Sequence, residues 1–344
     1  MKVAEFDFEL PPERIAQHPA APRDAARLLE VGRTLIDRVI TDLPRLLRPG
    51  DLLVYNDTRV IKARLYGKRG AASVGITLHK AEGEGVWRAF ARPAKKLRAA
   101  DVIDFAPGFS AEVLRKGEGG EVTLRFGLAP PELMAALDRH GHMPLPPYIK
   151  RTAETDAADV ADYQTVWGIR PGAVAASTAG FHFTPRLLGA LEKAGIARTA
   201  VTLHVGAGTF LPVKVADTAD HKMHAEWGEI GADTVAAIEN TQRRGGRIVS
   251  VGTTALRVLE TVSRQDGGLR PWSGETDIFI TPGFKFRTVD MLLTNFHLPR
   301  STLFMLVAAF AELERMKQAY THAIHHEYRF YSYGDCCLLH GSRA

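Results

Sequence analysis

The chain has 344 residues, 45% hydrophobic and 24% charged, the composition of a soluble globular protein with room for one large or two ordinary domains. Its 44 basic and 39 acidic side chains leave a formal net charge of +5 and a pI near 9.2, a balance that admits an anionic partner such as RNA without demanding one. No run approaches the ~20 apolar residues needed to span a bilayer, and Glu5, Asp7, Glu9 and Glu13 interrupt any signal-peptide core. Adjacent Cys336 and Cys337 are the only cysteines, so a disulfide framework or a Cys-based zinc site is excluded and a reduced, cytoplasmic setting is expected.

Near the N-terminus, Pro11 and Pro12 precede a helix-like ERIAQ turn, where a missing N–H costs little. Pro49-Gly50 turns the chain into a strand from Leu52 to Tyr55. It stops at Asn56-Asp57-Thr58-Arg59, a polar cluster that suits a site or an ordinary turn equally. Between residues 64 and 126 the β-prone runs RLYGKRG, VGITLHKAEG, VWRAFARP, DVIDFAPG, AEVLRKGEGG and EVTLRFG recur between glycine or proline turns. Turn signals ~8–12 residues apart without an intervening helix predict a small antiparallel barrel or sandwich. Arg88, Arg92, Lys95, Lys96 and Arg98 gather around its ARPAKKLR stretch, as a phosphate-facing loop or a solvated hairpin tip.

PPELMAALDRHG closes this insert as a short helix, and Pro144, Pro146 and Pro147 stiffen the return to the main body. A wound α/β alternation follows. It comprises a small-residue strand over 172–176, a helix begun by Thr184-Pro185 and stopped by Gly195, and a strand from Ala200. Next come a helix capped by Asp233, a strand over 247–252 that feeds a helix begun by Thr253-Thr254, and strands over 276–280 and 292–297. The C-terminal part is a long helix whose stripe of Phe310, Leu313, Met316, Tyr320 and Ile324 recurs at helical spacing.

Polar clusters close three of these segments, at residues 178–184, 204–210 and 251–254. Carboxyl ends of parallel strands face one cleft, and helix N-termini after Thr184 and Thr254 aim free N–H groups at it. That suits a ligand bearing carboxylate or hydroxyl groups. None of the clusters matches a G-x-G-x-x-G fingerprint or a P-loop. His221-x-x-His224-x-Glu226 has spacing three rather than the four of a zinc-protease helix, leaving metal ligation, acid/base work and a structural role open. His182 and His204 flank glycine turns at neighbouring strand ends. Asn295-Phe296-His297 ends a strand just before a helix, RFYSYGD (329–335) stacks a base or packs the C-terminus, and His325-His326 falls on the helix surface.

The stretches LVYNDTRVIKARL, ARPAKKL, GHMPLPPYIKR, YQTVW, GAVAASTAGFHFT, TLHVGAGTF, HKMHAE, VGTTALRVLE, TNFHLPRSTLFMLVAAF and YRFYSYGD run in order from about Phe6 to Asp335. Together they resemble the S-adenosylmethionine:tRNA ribosyltransferase-isomerases of queuosine biosynthesis. The resemblance implies a wound three-layer α/β body (1–61 and 149–344) with an inserted small antiparallel β-barrel domain (62–148). It implies transfer and isomerisation of the ribosyl moiety of S-adenosylmethionine onto the aminomethyl group of 7-aminomethyl-7-deazaguanine at the tRNA wobble position. Epoxyqueuosine forms, and adenine and methionine leave. S-adenosylmethionine is consumed as ribosyl donor, so no cofactor in the strict sense and no metal is implied. The expected partner is tRNA with a GUN anticodon carrying the deazaguanine precursor, met by a cytoplasmic monomer without membrane contact.

Such chemistry needs a base for the ribose C5′ protons acidified by the sulfonium, an acid near the departing adenine, and an acceptor for the aminomethyl proton. His182, His204, His224, Glu226 and Asp57 are the titratable candidates, with His224 and Glu226 as the proton-transfer pair. Thr178, Gly180, Gly206, Gly208, Thr209, Thr253, Thr254, Asn295 and His297 are expected around S-adenosylmethionine. Arg59, Arg92, Lys95, Lys96, Lys150 and Arg151 are expected on tRNA phosphates. Ser177 and Phe181 depart from the usual Pro and Leu of the family, Lys62 stands where Pro is common, and residues 76–79 lack its acidic, leucine-rich strand. The rivals are an RNA methyltransferase, a metal-dependent hydrolase built on His221, His224 and Glu226, and a non-catalytic RNA-binding protein.

Overall fold

The computed structural model describes residues 1–151, 158–206 and 213–341. Within them the chain forms strands β1 Arg27–Val31, β2 Leu35–Val39, β3 Leu52–Asn56, β4 Thr58–Val60, β5 Arg64–Arg69, β6 Ala72–Gly83, β7 Val86–Arg92, β8 Val102–Ala106 and β9 Phe109–Lys116. They continue with β10 Glu121–Phe126, β11 Arg170–Ala173, β12 Ala197–Leu203, β13 Glu226–Ile230, β14 Ile248–Val251, β15 Trp272–Thr276, β16 Met291–Asn295 and β17 Cys336–His340.

Nine strands make one sheet in the order β15-β13-β12-β3-β14-β16-β17-β1-β2. Its centre, β12-β3-β14-β16, is parallel, and every residue of β14 and β16 is buried. Burial on both faces is why these strands read as continuous apolar runs instead of alternating ones. Successive residues split between two cores: Leu52, Val54, Ile248 and Leu292 enter one, and Leu53, Val249, Val251, Met291 and Leu293 the other. The first core is closed by helices Ala232–Arg243, Gly252–Val262, Thr302–Ala311 and Leu313–His325, the second by Pro185–Lys193 and the Ile40–Leu47 region. This is the expected three-layer body.

The six β-prone runs become the six strands of a closed antiparallel barrel, β10-β7-β6-β5-β8-β9. Alternation on β6 sends Val74, Ile76 and Leu78 inward. Leu133 and Leu137, on helix Pro130–His140, plug the barrel, and Val174 from the body is buried in the same core. Among the described residues no helix is long and apolar enough to cross a membrane.

Several local expectations are corrected. The strand over 172–176 ends at Ala173 and pairs with β4 in a separate two-stranded sheet, because Gly172 turns at φ 134° under the His204 ring. The segment 276–280 leaves the sheet at Thr276, whose hydroxyl bonds Thr261 at 2.6 Å and accepts the Ile278 N–H at 3.3 Å. The C-terminal helix breaks at Glu312, φ 69°, into two. Gly231 takes the N-cap position expected of Asp233, which sits in the first turn.

Buried Asp51 pins the entries of β3 and β14 by accepting the N–H groups of Arg48 (2.8 Å) and Arg247 (3.0 Å) and the Arg247 guanidinium. Burial pushes its pKa up, and the Arg247 and Arg48 hydrogen bonds outweigh that and hold it below the usual carboxylate value. Asp51→Ala leaves Arg247 uncompensated and is expected to cost about 3–5 kcal/mol in urea unfolding. A loss under ~1 kcal/mol, the worth of a surface pair, would contradict this role.

Candidate active site

Because β12, β3, β14 and β16 are parallel neighbours, the residues after them share one edge: His204 to Gly206, Asp57, Gly252 to Thr254, and Phe296-His297. Gly252 opens its helix at φ 87°, where a Cβ would meet Ser177 Oγ at 3.0 Å. The two hydroxyls beside it, Ser177 Oγ and Thr254 Oγ1, share a hydrogen bond of 2.7 Å, so the residue that departs from the family's usual Pro is built into this corner.

Thr178, Thr253, Thr254, Asn295 and His297, with Tyr148 and Ser332, line a recess of about 90 Å³. Thr178 Oγ1 donates to Asn295 Oδ1 (3.1 Å), and Asn295 Nδ2 donates to the Tyr331 carbonyl (3.0 Å). His297 Nε2 bonds Thr294 Oγ1 at 3.0 Å, and burial pushes its pKa down to about 3. Tyr148 OH meets Ser332 Oγ at 2.7 Å, and burial pushes the phenol up to about 12. These groups are neutral and polar, and Val205, Phe296, Leu298 and Leu303 make the rest of the wall apolar.

Leu303 also borders a much larger cleft of about 1240 Å³ between barrel and body. Arg64, Arg88, Arg92, Arg115, Lys116, Lys214 and Arg257 face it against Glu118, Glu121 and Glu226, so the field inside favours an anion. Glu226, the buried first residue of β13, accepts the Gly206 N–H through Oε1 (3.0 Å) and Arg257 Nη1 through Oε2. A Cβ on Gly206 would lie 2.9 Å from the His79 carbonyl of β6. Only glycine lets the turn after β12 approach the barrel this closely.

Residues 3–339 match the model of the family described as queuosine biosynthesis protein. The chain belongs to that family. It is 58% identical to the S-adenosylmethionine:tRNA ribosyltransferase-isomerase of Parvibaculum lavamentivorans, covering 99% of this chain and 100% of that one. The Rhodospirillum rubrum protein of the same name is 60% identical, with 98% of each chain covered. A crystal structure of S-adenosylmethionine tRNA ribosyltransferase from Thermotoga maritima aligns with a TM-score of 0.56 and 38% identity over 97% of this chain and 99% of that one.

For this member of the queuosine biosynthesis family, the expected site residues fall into distinct places. His224, Glu226 and Arg92 border the cleft, and Thr178, Thr253, Thr254, Asn295 and His297 the recess. Gly206 bridges Glu226 and the barrel. His182 is buried behind Asn295; burial, then the Arg329 charge, push its pKa down to about 4, against an Asn295 hydrogen bond. His204 lies against Trp227 with ring centroids 5.5 Å apart, its pKa lowered by burial. Asp57 accepts from Thr202 Oγ1 (2.8 Å), pairs with Arg170 at 3.5 Å, and has its pKa raised by burial. His204 and Asp57 meet around Arg170 and border neither cavity. Gly180 packs on Thr165 and Trp167. Gly208 and Thr209 lie outside the described residues.

Of the expected cations, Lys95 and Lys96 are exposed on the turn Ala94–Lys96, and Arg59 and Lys150 are exposed elsewhere. Arg151 is engaged by buried Asp159, with Nη2 at 2.6 Å. His221, His224 and Glu226 do not converge as a chelate: Glu226 is taken by Gly206 and Arg257, and His221 packs on Phe279 at 5.1 Å. Among the described residues, His and carboxylate ligand atoms converge within 4.8 Å at Asp37 of β2, His322 of helix Leu313–His325 and His326 just past its end.

Sequence reasoning missed Arg257 and His79. Arg257 follows Thr253 by four positions on an apolar helix, a spacing that places both on one face. His79 follows inward Leu78 on β6, so alternation sends it out of the barrel core, where it stacks on Phe90 of β7 at 4.6 Å and lies 4.0 Å from Glu121 of β10.

Burial pushes the pKa of His79 to about 4, as it does for His182, while His297 falls to about 3. Unfolded, these rings titrate near 6.5, so below that pH the unfolded chain binds more protons. Their contribution is complete above pH 6.5 and is lost as pH falls toward the folded values. The melting temperature is expected to fall from about pH 7 to about pH 5, and His297→Gln to flatten the slope. An unchanged slope would contradict a buried neutral His297.

Proposed function

We propose that this chain transfers and isomerises the ribosyl moiety of S-adenosylmethionine onto the aminomethyl group of 7-aminomethyl-7-deazaguanine at the wobble position of tRNA. Epoxyqueuosine forms, and adenine and methionine are released. The observation that carries this reading is the match to S-adenosylmethionine:tRNA ribosyltransferase-isomerases over nearly the full length of both chains.

The cavities supply what the chemistry asks for. A volume of about 1240 Å³ exceeds the ~300–1,000 Å³ of ordinary ligand pockets, enough for a sulfonium nucleoside beside an extruded base. The recess of about 90 Å³ is too small for a nucleoside alone and serves as the inner end of the same site. There the N-terminus of helix Gly252–Val262 and the Thr253 and Thr254 hydroxyls meet ribose or adenine. The division of labour follows, with a body of 1–61 and 149–344 holding S-adenosylmethionine and an insert of 62–148 presenting cations to tRNA. Arg92, Lys95 and Lys96 lie on the insert, with Lys150 and Arg59 on the body.

His224, exposed on the cleft wall, is the acceptor for the aminomethyl proton. Glu226 supplies a fixed negative charge for the sulfonium, since both its oxygens already accept hydrogen bonds. His182 orients Asn295, while His204 and Asp57 act only through the Arg170 cluster. The sulfonium provides both C–H acidity and the leaving group, so the reading asks for no metal. The reading takes the enzyme as a monomer, and tRNA with a GUN anticodon as substrate places the work in the cytoplasm.

Incubation with S-adenosylmethionine and precursor-bearing tRNA is expected to release adenine and methionine in equal amounts, read by chromatography. S-adenosylhomocysteine in their place would establish a methyltransferase and overturn the proposal. Turnover that disappears in chelator-treated protein and returns with a metal would favour the hydrolase-like reading.

A further inference from the structure

Arg257 uses one of its three guanidinium nitrogens. Nη1 donates to Glu226 Oε2, and Glu226 Oε1 is fixed by the Gly206 N–H at 3.0 Å. Nε and Nη2 are buried and have no hydrogen-bond partner among the described residues, in a side chain only 7% exposed that borders the cleft. These two nitrogens form the guanidinium edge that a planar carboxylate or phosphate grips with two parallel hydrogen bonds. A buried cationic edge without a partner is unfavourable in the free protein. The ion pair with Glu226 nevertheless holds it in one orientation. A buried guanidinium edge held in one orientation on the wall of a ligand cleft is a receptor for an anion.

We infer that the Nε/Nη2 edge of Arg257 binds the α-carboxylate of the methionine portion of S-adenosylmethionine, an inference that rests on the function proposed above. That carboxylate is the only anionic group of the molecule. Arg257 lies four residues beyond Thr253 on the same helix face, ~6 Å along its axis, and Thr253 borders the recess. One ligand therefore spans both, with its nucleoside toward the recess and its amino-acid end on Arg257. The geometry also sets the sulfonium, a few atoms from the carboxylate, near Glu226. A tRNA phosphate is the competing anion. The exposed rim residues Arg92, Arg115 and Lys116 are placed for it, whereas the Arg257 edge is buried. Released methionine carries the same carboxylate, so the edge also holds the product and makes methionine a competitor of S-adenosylmethionine.

Calorimetric titration of the wild-type protein tests this without any variant, using S-adenosylmethionine and its decarboxylated analogue. Loss of a bidentate charged contact is expected to weaken the analogue by about 10–100-fold. Arg257→Lys, which keeps a cation for Glu226 but lacks the bidentate edge, is expected to weaken S-adenosylmethionine by a similar factor, leave the analogue unchanged and leave tRNA affinity unchanged. Methionine inhibition should fade in the same variant. Wild-type discrimination below about threefold would overturn the inference, as would a variant that weakens both ligands equally, the mark of a structural role. Lower tRNA affinity with a shallower salt dependence and unchanged S-adenosylmethionine binding would assign the edge to a phosphate. Wild-type protein that binds tRNA but neither sulfonium compound sinks the proposed function itself, and this inference with it.

Discussion

The buried ion pair between Glu226 and Arg257 is the constraint on which the site depends. It joins the first residue of β13 to the middle of helix Gly252–Val262, and through the Gly206 N–H it also fixes the turn after β12. Removing one member of such a pair typically costs about 3–5 kcal/mol, because the survivor is left buried and uncompensated. The same turn touches the barrel, since Gly206 approaches the His79 carbonyl too closely to carry a side chain. One carboxylate thus sets the relation of sheet edge, helix and inserted barrel at the floor of the cleft.

Around that floor the protein separates neutral from charged surfaces. The recess is walled by threonine hydroxyls, Asn295 and an imidazole that burial keeps neutral, which suits hydrogen bonding to a nucleoside with little net charge. The cleft above it carries an excess of arginine and lysine, which suits a polyanion arriving from outside. Val174, from the body, is buried in the barrel core, and Lys80 of β6 pairs with Glu275 of β15 at 2.7 Å. These contacts hold the basic barrel face over the sheet edge. The basic cleft and the neutral recess thus adjoin at one junction of barrel and sheet edge, with Leu303 bordering both.

Much of this architecture is legible in the residues because it depends on local pattern. The barrel strands announce themselves by turn spacing, and β3, β14 and β16 by uninterrupted apolar runs. Thr253, Thr254, Asn295 and His297 lie where parallel strands end, and the sheet order alone brings them together. What stays hidden depends on long-range contact. Nothing near Arg257 in sequence indicates that Glu226 will pair with it, and nothing near His79 indicates that its ring will be buried against Phe90 and Glu121 or that Gly206 will approach its carbonyl. His204 and Asp57 look like cleft residues by position, yet the register of β12 against β13 and the turn at Gly172 direct them to Arg170. Helix periodicity likewise carries the terminal stripe across Glu312, where a single positive φ divides the helix in two.

The central claim is that a ribosyl-derived unit ends up on the wobble base. Mass analysis of the anticodon fragment, after incubating the protein with S-adenosylmethionine and precursor-bearing tRNA, tests it most directly. The account predicts a gain matching the epoxycyclopentanediol unit, confined to the deazaguanine nucleotide and carrying label from ribose-labelled donor. A gain of a methyl group, or an unchanged fragment alongside intact tRNA binding, would contradict it.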